Sequence, residues 1–585
     1  MNDNNGGGGA GAGTPLTVLG VIFGSFGLFT GAHIGGTLGV AVAGGGWAPP
    51  AYSVQSAKLL VSGGPGRLWP GHGTAAGVGI VVLLVLVVAA LGAGGYWVWR
   101  RFFSHRSGLA GLRELAPLAP KAMGARARAL RPSLKGAQEV QPDDTGLLLG
   151  NLDASRGPEL RGSWEDVVLA VMAPRSNKTT AVAVPAVLRA PGAVLLTSNK
   201  PDAFAVTRAS RLKVGTVWLL DPQHITHSDR AMWWDMLASA RTIEGAGRLA
   251  SHFIAATTDE KSRGDFWMGA AKNLLTALFH AASVAPGGSA SDVLAWLSTP
   301  SDRAPVNALK AAGKTALAQQ LASTVAGAAD TRDGIFETAR QCVACLLDPG
   351  TLAWVTPDPA AKEFRPDDFV RSRDTLYLLS KDGGGSAAGV IAAAADAVLR
   401  AGMLAAERAG GRLDTPLIAV LDEAANVCRI EDLPDLYSHL GSRGIVPVTI
   451  LQSYRQGVRV WGEAGMDALW SAATVKLLGP GLDDAEFAEK VSRLVGDHKV
   501  RETSVSHGSS GRSVSTSRRR ERVLEAAEIR ALPKGRALLL ATGVRVGMIR
   551  LRPWYLEPGA DRLNEDARLE VAEISARASR KAMSS

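Results

Sequence analysis

The residues able to do chemistry sit in two segments far apart in the chain. The first is Val171-Met-Ala-Pro174-Arg175-Ser176-Asn177-Lys178-Thr179-Thr180, which follows the apolar run Val167-Val-Leu-Ala. The second is Leu417-Ile-Ala-Val-Leu-Asp422-Glu423. The first has the order of a strand, a phosphate-binding loop and a helix start. At such a helix start backbone N–H groups point at phosphates, and a lysine adds a full positive charge. The second is a buried strand ending in two acids. One acid can hold Mg²⁺, usually through water, and its neighbour can polarise the attacking water. Together the segments are two halves of a nucleoside triphosphatase site, with ATP and Mg²⁺ as its expected cofactors.

Set against the pattern G-x-x-x-x-G-K-[ST], Met172 takes the place of the first glycine and Asn177 that of the second. Lys178 then falls to the β- and γ-phosphates, the Thr179 hydroxyl to Mg²⁺, and Pro174 to Thr180 form the cradle. Asn is the most tolerable replacement for the second glycine, because it enters left-handed backbone more readily than other residues. The alternative is an ordinary strand-to-helix turn carrying Lys-Thr, with Asp422-Glu423 as a helix N-cap and first-turn acid.

Elements that must position these residues are legible nearby. Ala193-Val-Leu-Leu-Thr-Ser and Thr216-Val-Trp-Leu-Leu-Asp221 are further short apolar runs, and Asp374-Thr-Leu-Tyr-Leu-Leu-Ser380 resumes the pattern. Apolar strands alternating with helical segments predict a parallel α/β sheet covered on both faces. Gly444-Ile-Val-Pro-Val-Thr-Ile-Leu-Gln452-Ser453 ends in a polar pair that lies beside the acids if this strand pairs with 417–421. Gln452 would then sense the γ-phosphate or orient water. Arg443 is the basic residue best suited to reach into a neighbouring subunit's site, and Arg455 is a second choice. Either serves equally as a surface ion-pair partner.

Between the strands, residues 229–345 are rich in Ala, Leu and Trp, with helical spacing around Phe266-Trp267 and Leu274-Leu275. This predicts an all-α insertion. Trp233, Trp234, Phe266 and Trp267 are expected in its core rather than as a base-stacking platform. Residues 499–522 alternate Ser with small and basic residues and end in Arg518-Arg-Arg-Glu-Arg522, which reads as an exposed hairpin. A charged tail follows at 558–585.

The chain of 585 residues has room for two or three domains, and its formal charge of +10 suits nucleic acid or anionic lipid as a partner. Cys342, Cys345 and Cys428 make neither a disulfide framework nor a paired zinc motif, and read as buried thiols in a reducing cytoplasm. Residues 1–14 are Gly-rich and expected to be disordered. Residues 15–99 hold two apolar stretches, the second centred on Ile80-Val-Val-Leu-Leu-Val-Leu, and a bilayer takes about 20 such residues. The segment 100–140 is a basic linker. Its Arg and Lys residues place the large carboxyl-terminal part in the cytoplasm by the positive-inside rule, with membrane lipid as their partner.

The motifs Pro174-Arg-Ser-Asn-Lys-Thr-Thr, Leu421-Asp-Glu-Ala-Ala-Asn, Arg443-Gly-Ile, Leu451-Gln-Ser and Gly479-Pro-Gly-Leu-Asp-Asp occur in that order behind two spans. In this the chain resembles the type IV secretion coupling proteins of the TraG/TraD type, in their actinobacterial branch. The resemblance implies a RecA-like P-loop nucleotide-binding domain in two parts, 141–228 and 346–557, with the all-α domain between them. It implies a multi-pass plasma-membrane protein that forms a homo-hexamer. Its implied work is ATP-driven transfer of a relaxase–DNA complex, with single-stranded DNA as cargo, into the channel components of a conjugation apparatus. It assigns phosphate and Mg²⁺ to Lys178 and Thr179, Mg²⁺ to Asp422, water activation to Glu423 and nucleotide sensing to Gln452. Asn177 departs from the family's glycine. Two other readings use the same residues: a catalytically weak membrane scaffold that recruits secretion substrate, and a DNA translocase of the FtsK type.

Overall fold

The computed structural model describes residues 14–102, 108–154, 157–383, 387–508 and 511–584. The expected disorder at the amino terminus lies outside them. The chain forms two units, Met1–Arg106 and Ser107–Ser585.

In the first unit, helices Thr14–Val40 and Gly73–Phe102 pack through glycines. A Cβ on Gly79 would stand 2.1 Å from the Gly35 carbonyl oxygen, and one on Gly39 would stand 2.2 Å from that of Ala75. Small residues of this kind let two backbones approach where no hydrophobic drive separates lipid from protein. Ser25–Gly45 and Gly73–Trp97 are long and apolar enough to cross a membrane. Ala388–Arg408 also meets that measure, but it is largely buried in the second unit.

The second unit is built on an eleven-stranded sheet. In chain order the strands are β1 (Leu147–Leu152), β2 (Glu159–Gly162), β3 (Val168–Val171), β4 (Val194–Ser198) and β5 (Val217–Leu220). Next come β6 (Met232–Trp234) and β7 (Lys362–Phe364), a separate parallel pair, then β8 (Thr375–Leu379), β9 (Leu417–Leu421), β10 (Ile445–Leu451) and β11 (Val475–Leu478). A separate ribbon, β12 (Asp497–Gly508) and β13 (Gly511–Arg522), precedes β14 (Arg536–Ala541) and β15 (Gly547–Arg550). The main sheet runs β2-β1-β15-β14-β11-β3-β10-β9-β4-β8-β5. From β11 to β5 the strands are parallel, and β14, β15, β1 and β2 extend the sheet antiparallel. Every residue of β3, β8, β9 and β10 is buried, as a sheet covered on both faces requires.

Helices from Ile243–Thr257 to Pro349–Ala353 lie between β6 and β7. Trp234 is buried, but Phe266 is 63% and Trp267 39% exposed, against the expectation that they are core. They begin helix Phe266–Val284 on its open side, and Trp267 lies over Gly334 of helix Ala329–Cys342.

The basic segment 108–140 and the charged tail both pack onto the domain. Leu115, Leu118, Met123 and Ala127 are buried, and Arg131 pairs with Asp144 at 2.5 Å. Apolar residues between the basic ones thus fold the 108–140 segment onto the domain. The tail is helix Ala560–Ser584, which buries Ile574 and holds Glu570 against Arg208 (3.0 Å) and Arg577 (2.7 Å).

Candidate nucleotide-binding site

The site forms where β3, β10 and β9 end together. β10 lies between the other two and runs parallel to both, which sets Gln452 beside the acids. After β3 the loop backbone turns through two left-handed residues, Arg175 (φ 64°) and Asn177 (φ 73°). Asn177 thus adopts the conformation that a glycine there would supply. Met172 is fully buried, because the facing Gly479 has no side chain: a Cβ on Gly479 would sit 2.7 Å from Met172 Cγ. The Ala173 amide donates to the Pro480 carbonyl at 3.3 Å. Gly479-Pro480-Gly481 therefore backs the loop, a role the sequence did not reveal.

Lys178 leads into a helical run, with Thr179–Ala183 a π-turn and Val184–Leu188 an α-helix. Pro174 and Arg175 are exposed, Ser176 is buried, and the Thr180 hydroxyl donates to the Asn177 carbonyl at 3.3 Å. The Lys178 ammonium is bonded to Glu423 Oε1, with both side chains about nine-tenths buried. The Gln452 amide donates to Glu423 Oε2 at 2.6 Å, and the Thr179 hydroxyl donates to Asp422 Oδ2 at 2.8 Å. Lys178, Thr179, Asp422, Glu423 and Gln452 thus meet in one cluster.

Glu423 itself is left-handed, with φ 56° and ψ 39°, and its side chain makes no cap bond to helix Ala424–Val427. The N-cap position thus falls to Glu423 rather than Asp422, and the Glu423 side chain is engaged by Lys178 and Gln452 instead of capping. The Asp422 carbonyl accepts from the Thr197 hydroxyl of β4 at 3.0 Å, which holds the turn from behind. Tyr437 donates to the Val168 carbonyl at 2.9 Å and ties helix Leu433–Leu440 to β3. Neither Thr197 nor Tyr437 carried a signal in the sequence beyond being a polar residue in an apolar setting.

Burial pushes the Asp422 carboxyl up to about 6, opposed by the Lys178 charge. Asp422 Oδ1 and Ser176 Oγ are buried with no hydrogen-bond partner among the described residues. A buried carboxylate oxygen without a donor, next to a threonine hydroxyl, is the donor set a Mg²⁺ ion uses. The residues present therefore fit the cation.

Arg443 and Arg455 are not part of this cluster. Arg443 precedes β10, at the end of the strand opposite Gln452, and contacts the His439 carbonyl (3.3 Å) and Glu407 (3.6 Å). Arg455 pairs with Asp484 at 3.0 Å and Glu486 at 3.6 Å. The three thiols are free. Burial pushes the Cys345 thiol up to about 12 and raises those of Cys342 and Cys428.

Residues 416–534 match the family described as the TraM recognition site of TraD and TraG. No curated protein sequence matches the chain. Among solved structures, the bacterial conjugative coupling protein TrwBdeltaN70 in its unbound form is 19% identical with a TM-score of 0.53, over 74% of this chain and 94% of that one. The plasmid coupling protein TrwB with ADP and Mg²⁺ is 17% identical with a TM-score of 0.52, over 72% and 94%. TrwB with the GTP analogue GDPNP is 19% identical with a TM-score of 0.52, over 74% and 95%.

Proposed function

We propose that this chain, TraG/TraD-like by its matched domain and its coupling-protein fold, is a membrane-anchored ATPase. It recruits a relaxase–DNA complex and drives DNA into a type IV secretion channel. The observation that carries this reading is the cluster Lys178–Glu423–Gln452 with Thr179–Asp422 at the ends of adjacent strands.

In this reading Lys178 exchanges Glu423 for the β- and γ-phosphates of ATP, which frees Glu423. Thr179 and Asp422 hold Mg²⁺, which when bound neutralises charge on the phosphates. Glu423, released from the lysine, accepts a proton from the attacking water. Gln452, already bonded to Glu423, reports whether the γ-phosphate is present. Ser25–Gly45 and Gly73–Trp97 are the two spans, the second unit lies in the cytoplasm, and six chains form the ring. Arg443 or Arg455 acts on a neighbour's site. The matched domain supports a relaxase-side partner, because its description names a recognition site.

The test is ATP hydrolysis by the full chain with and without single-stranded DNA, alongside Lys178→Ala and Asn177→Gly. Turnover that DNA stimulates and Lys178→Ala abolishes is expected. A native chain without turnover, restored by Asn177→Gly, would put the scaffold reading in its place.

A further inference from the structure

We propose that a recess among the helices between β6 and β7 is a docking site for an acidic peptide segment of a protein partner, and that Arg303 and Arg332 hold its carboxylate. The site is separate from the nucleotide cluster and does not depend on it.

The recess has a volume of 570 Å³, inside the range of about 300–1,000 Å³ that ligand sites occupy. It opens between helix Ala329–Cys342, the end of helix Thr315–Ala326 and the turn that leads into helix Ala304–Ala311. Helix Ala329–Cys342 contributes Arg332, Phe336 and Arg340, which recur every four residues and so share one face. Phe336 and Val325 are buried, which makes the base apolar. Pro300 and Arg303 come from the turn.

The three arginines differ in what they have left to offer. Arg340 donates to the Leu297 carbonyl at 3.0 Å and to Glu337 at 2.7 Å, which fixes it as part of the wall. Arg332 donates through Nε to Asp333 at 2.8 Å, and its two terminal nitrogens make no bond among the described residues. The Arg303 guanidinium is exposed and makes none among them at all. Two guanidinium forks with free N–H groups suit a carboxylate, which accepts paired bonds from such a fork.

The distribution of charge selects the occupant. From Ala290 to Cys342 the chain has five basic and five acidic residues, so this stretch has no net charge. Three of its five basic residues nonetheless line one recess. Nucleic acid is held by many cations along a track, and a neutral surface has no such track. A single carboxylate needs only a local pair. Asp333 discriminates further: one of its oxygens takes the Arg332 bond, and the other has no donor among the described residues. A peptide backbone supplies N–H donors beside its acidic side chains, whereas a phosphodiester backbone supplies acceptors alone. Ser301, Arg303 and Asp333 are exposed on the rim, so an extended chain can enter and leave without crossing a buried wall. The apolar base then takes the aliphatic part of the acidic residue or of its neighbour.

The experiment is fluorescence anisotropy of fluorescein-labelled tetraglutamate, titrated with the full chain in phosphatidylcholine nanodiscs. Binding should be salt-sensitive. The double variant Arg303→Ala, Arg332→Ala should weaken it by about tenfold or more. The double variant Lys310→Ala, Lys314→Ala removes the same charge from the same helices outside the recess, and should bind as the native chain does. Arg303→Ala alone breaks no side-chain bond among the described residues, so it should leave thermal unfolding unchanged and still weaken binding by about threefold or more. That variant keeps the test decisive if the double arginine variant unfolds. No binding by the native chain, or equal losses in the arginine and lysine doubles, overturns the proposal. Displacement of tetraglutamate by orthophosphate or oligothymidylate at matched charge concentration overturns it too, because the recess would then be a phosphate site.

Discussion

The phosphate loop and the acid-bearing turn solve the same backbone problem with different residues. Each follows a buried strand, and each puts non-glycine residues in left-handed backbone: exposed Arg175 and then Asn177, at the position of the loop's second glycine, in the first, and buried Glu423 in the second. Asn is suited to that region. Glu is not, and an L-residue there costs about 1–2 kcal/mol. The compensation is local: Lys178 and Gln452 hold the two carboxylate oxygens of Glu423, and Thr197 holds the preceding carbonyl. At its helix-proximal position the phosphate loop has only to aim N–H groups, for which Asn177 is sufficient. The acid turn must aim a charged side chain, and strain is retained where aim matters.

The largest effect should come from removing the cation that links the two loops. Lys178→Ala leaves the buried Glu423 carboxylate unpaired, so the fold should lose about 3–5 kcal/mol as well as nucleotide binding. Thermal unfolding of Lys178→Ala beside the double variant with Glu423→Ala checks this. The double variant should regain most of the loss, and a single variant as stable as the native chain would show that the pair holds nothing.

Glu423→Gln should come next. It keeps the shape and the Gln452 contact but cannot take a proton. Turnover should fall by about 10²–10⁴-fold, with nucleotide affinity unchanged or improved because Lys178 is released. Near-native turnover would move the base elsewhere and end the comparison between the loops.

Asp422 gives a smaller, pH-dependent effect. Burial raises its carboxyl from an ordinary 3.8 to about 6, so the fold favours the neutral acid. Without metal, Asp422's contribution to stability is greatest below pH 4 and falls as pH rises to about 6. The change is on the order of 2–3 kcal/mol. Mg²⁺-dependent nucleotide affinity should run the other way, because a metal ligand must be ionised, and should weaken as pH drops below about 6. Asp422→Asn should flatten both slopes; a slope surviving in either titration would assign it to another group.

Much of this was written in the chain. Apolar runs of four to seven residues gave β3, β4, β8, β9 and β10, and strand-end acids and Gln452 gave the cluster, because strand ends are where a parallel sheet collects its polar residues. What was hidden depends on which surface covers which. Gly479 is a loop glycine until Met172 is seen against it, and Thr197 is an ordinary strand residue until the Asp422 carbonyl reaches it. Phe266 and Trp267 fit a helical apolar stripe, but periodicity does not say whether another element covers that stripe's first turn. In the 108–140 segment and the terminal helix, charges outnumber the few apolar residues that anchor them to the domain, such as Leu115 and Ile574, so their packing is not legible from composition.

The smallest effect tests the phosphate loop itself. Asn177→Gly removes the modest strain of Asn in left-handed backbone, but it also loosens the unfolded chain, and the two terms are each about 0.5–1 kcal/mol and opposed. Stability should therefore hardly move, while ATP affinity rises a fewfold if the Asn side chain crowds the phosphates. Asn177→Ala sharpens the result. Alanine keeps the Cβ without the carboxamide that eases Asn into this region, so it should destabilise by about 1 kcal/mol. An alanine variant as stable as the native chain would mean that the loop does not need left-handed backbone at 177, and the likeness between the two turns would be one of shape without shared energetic cause.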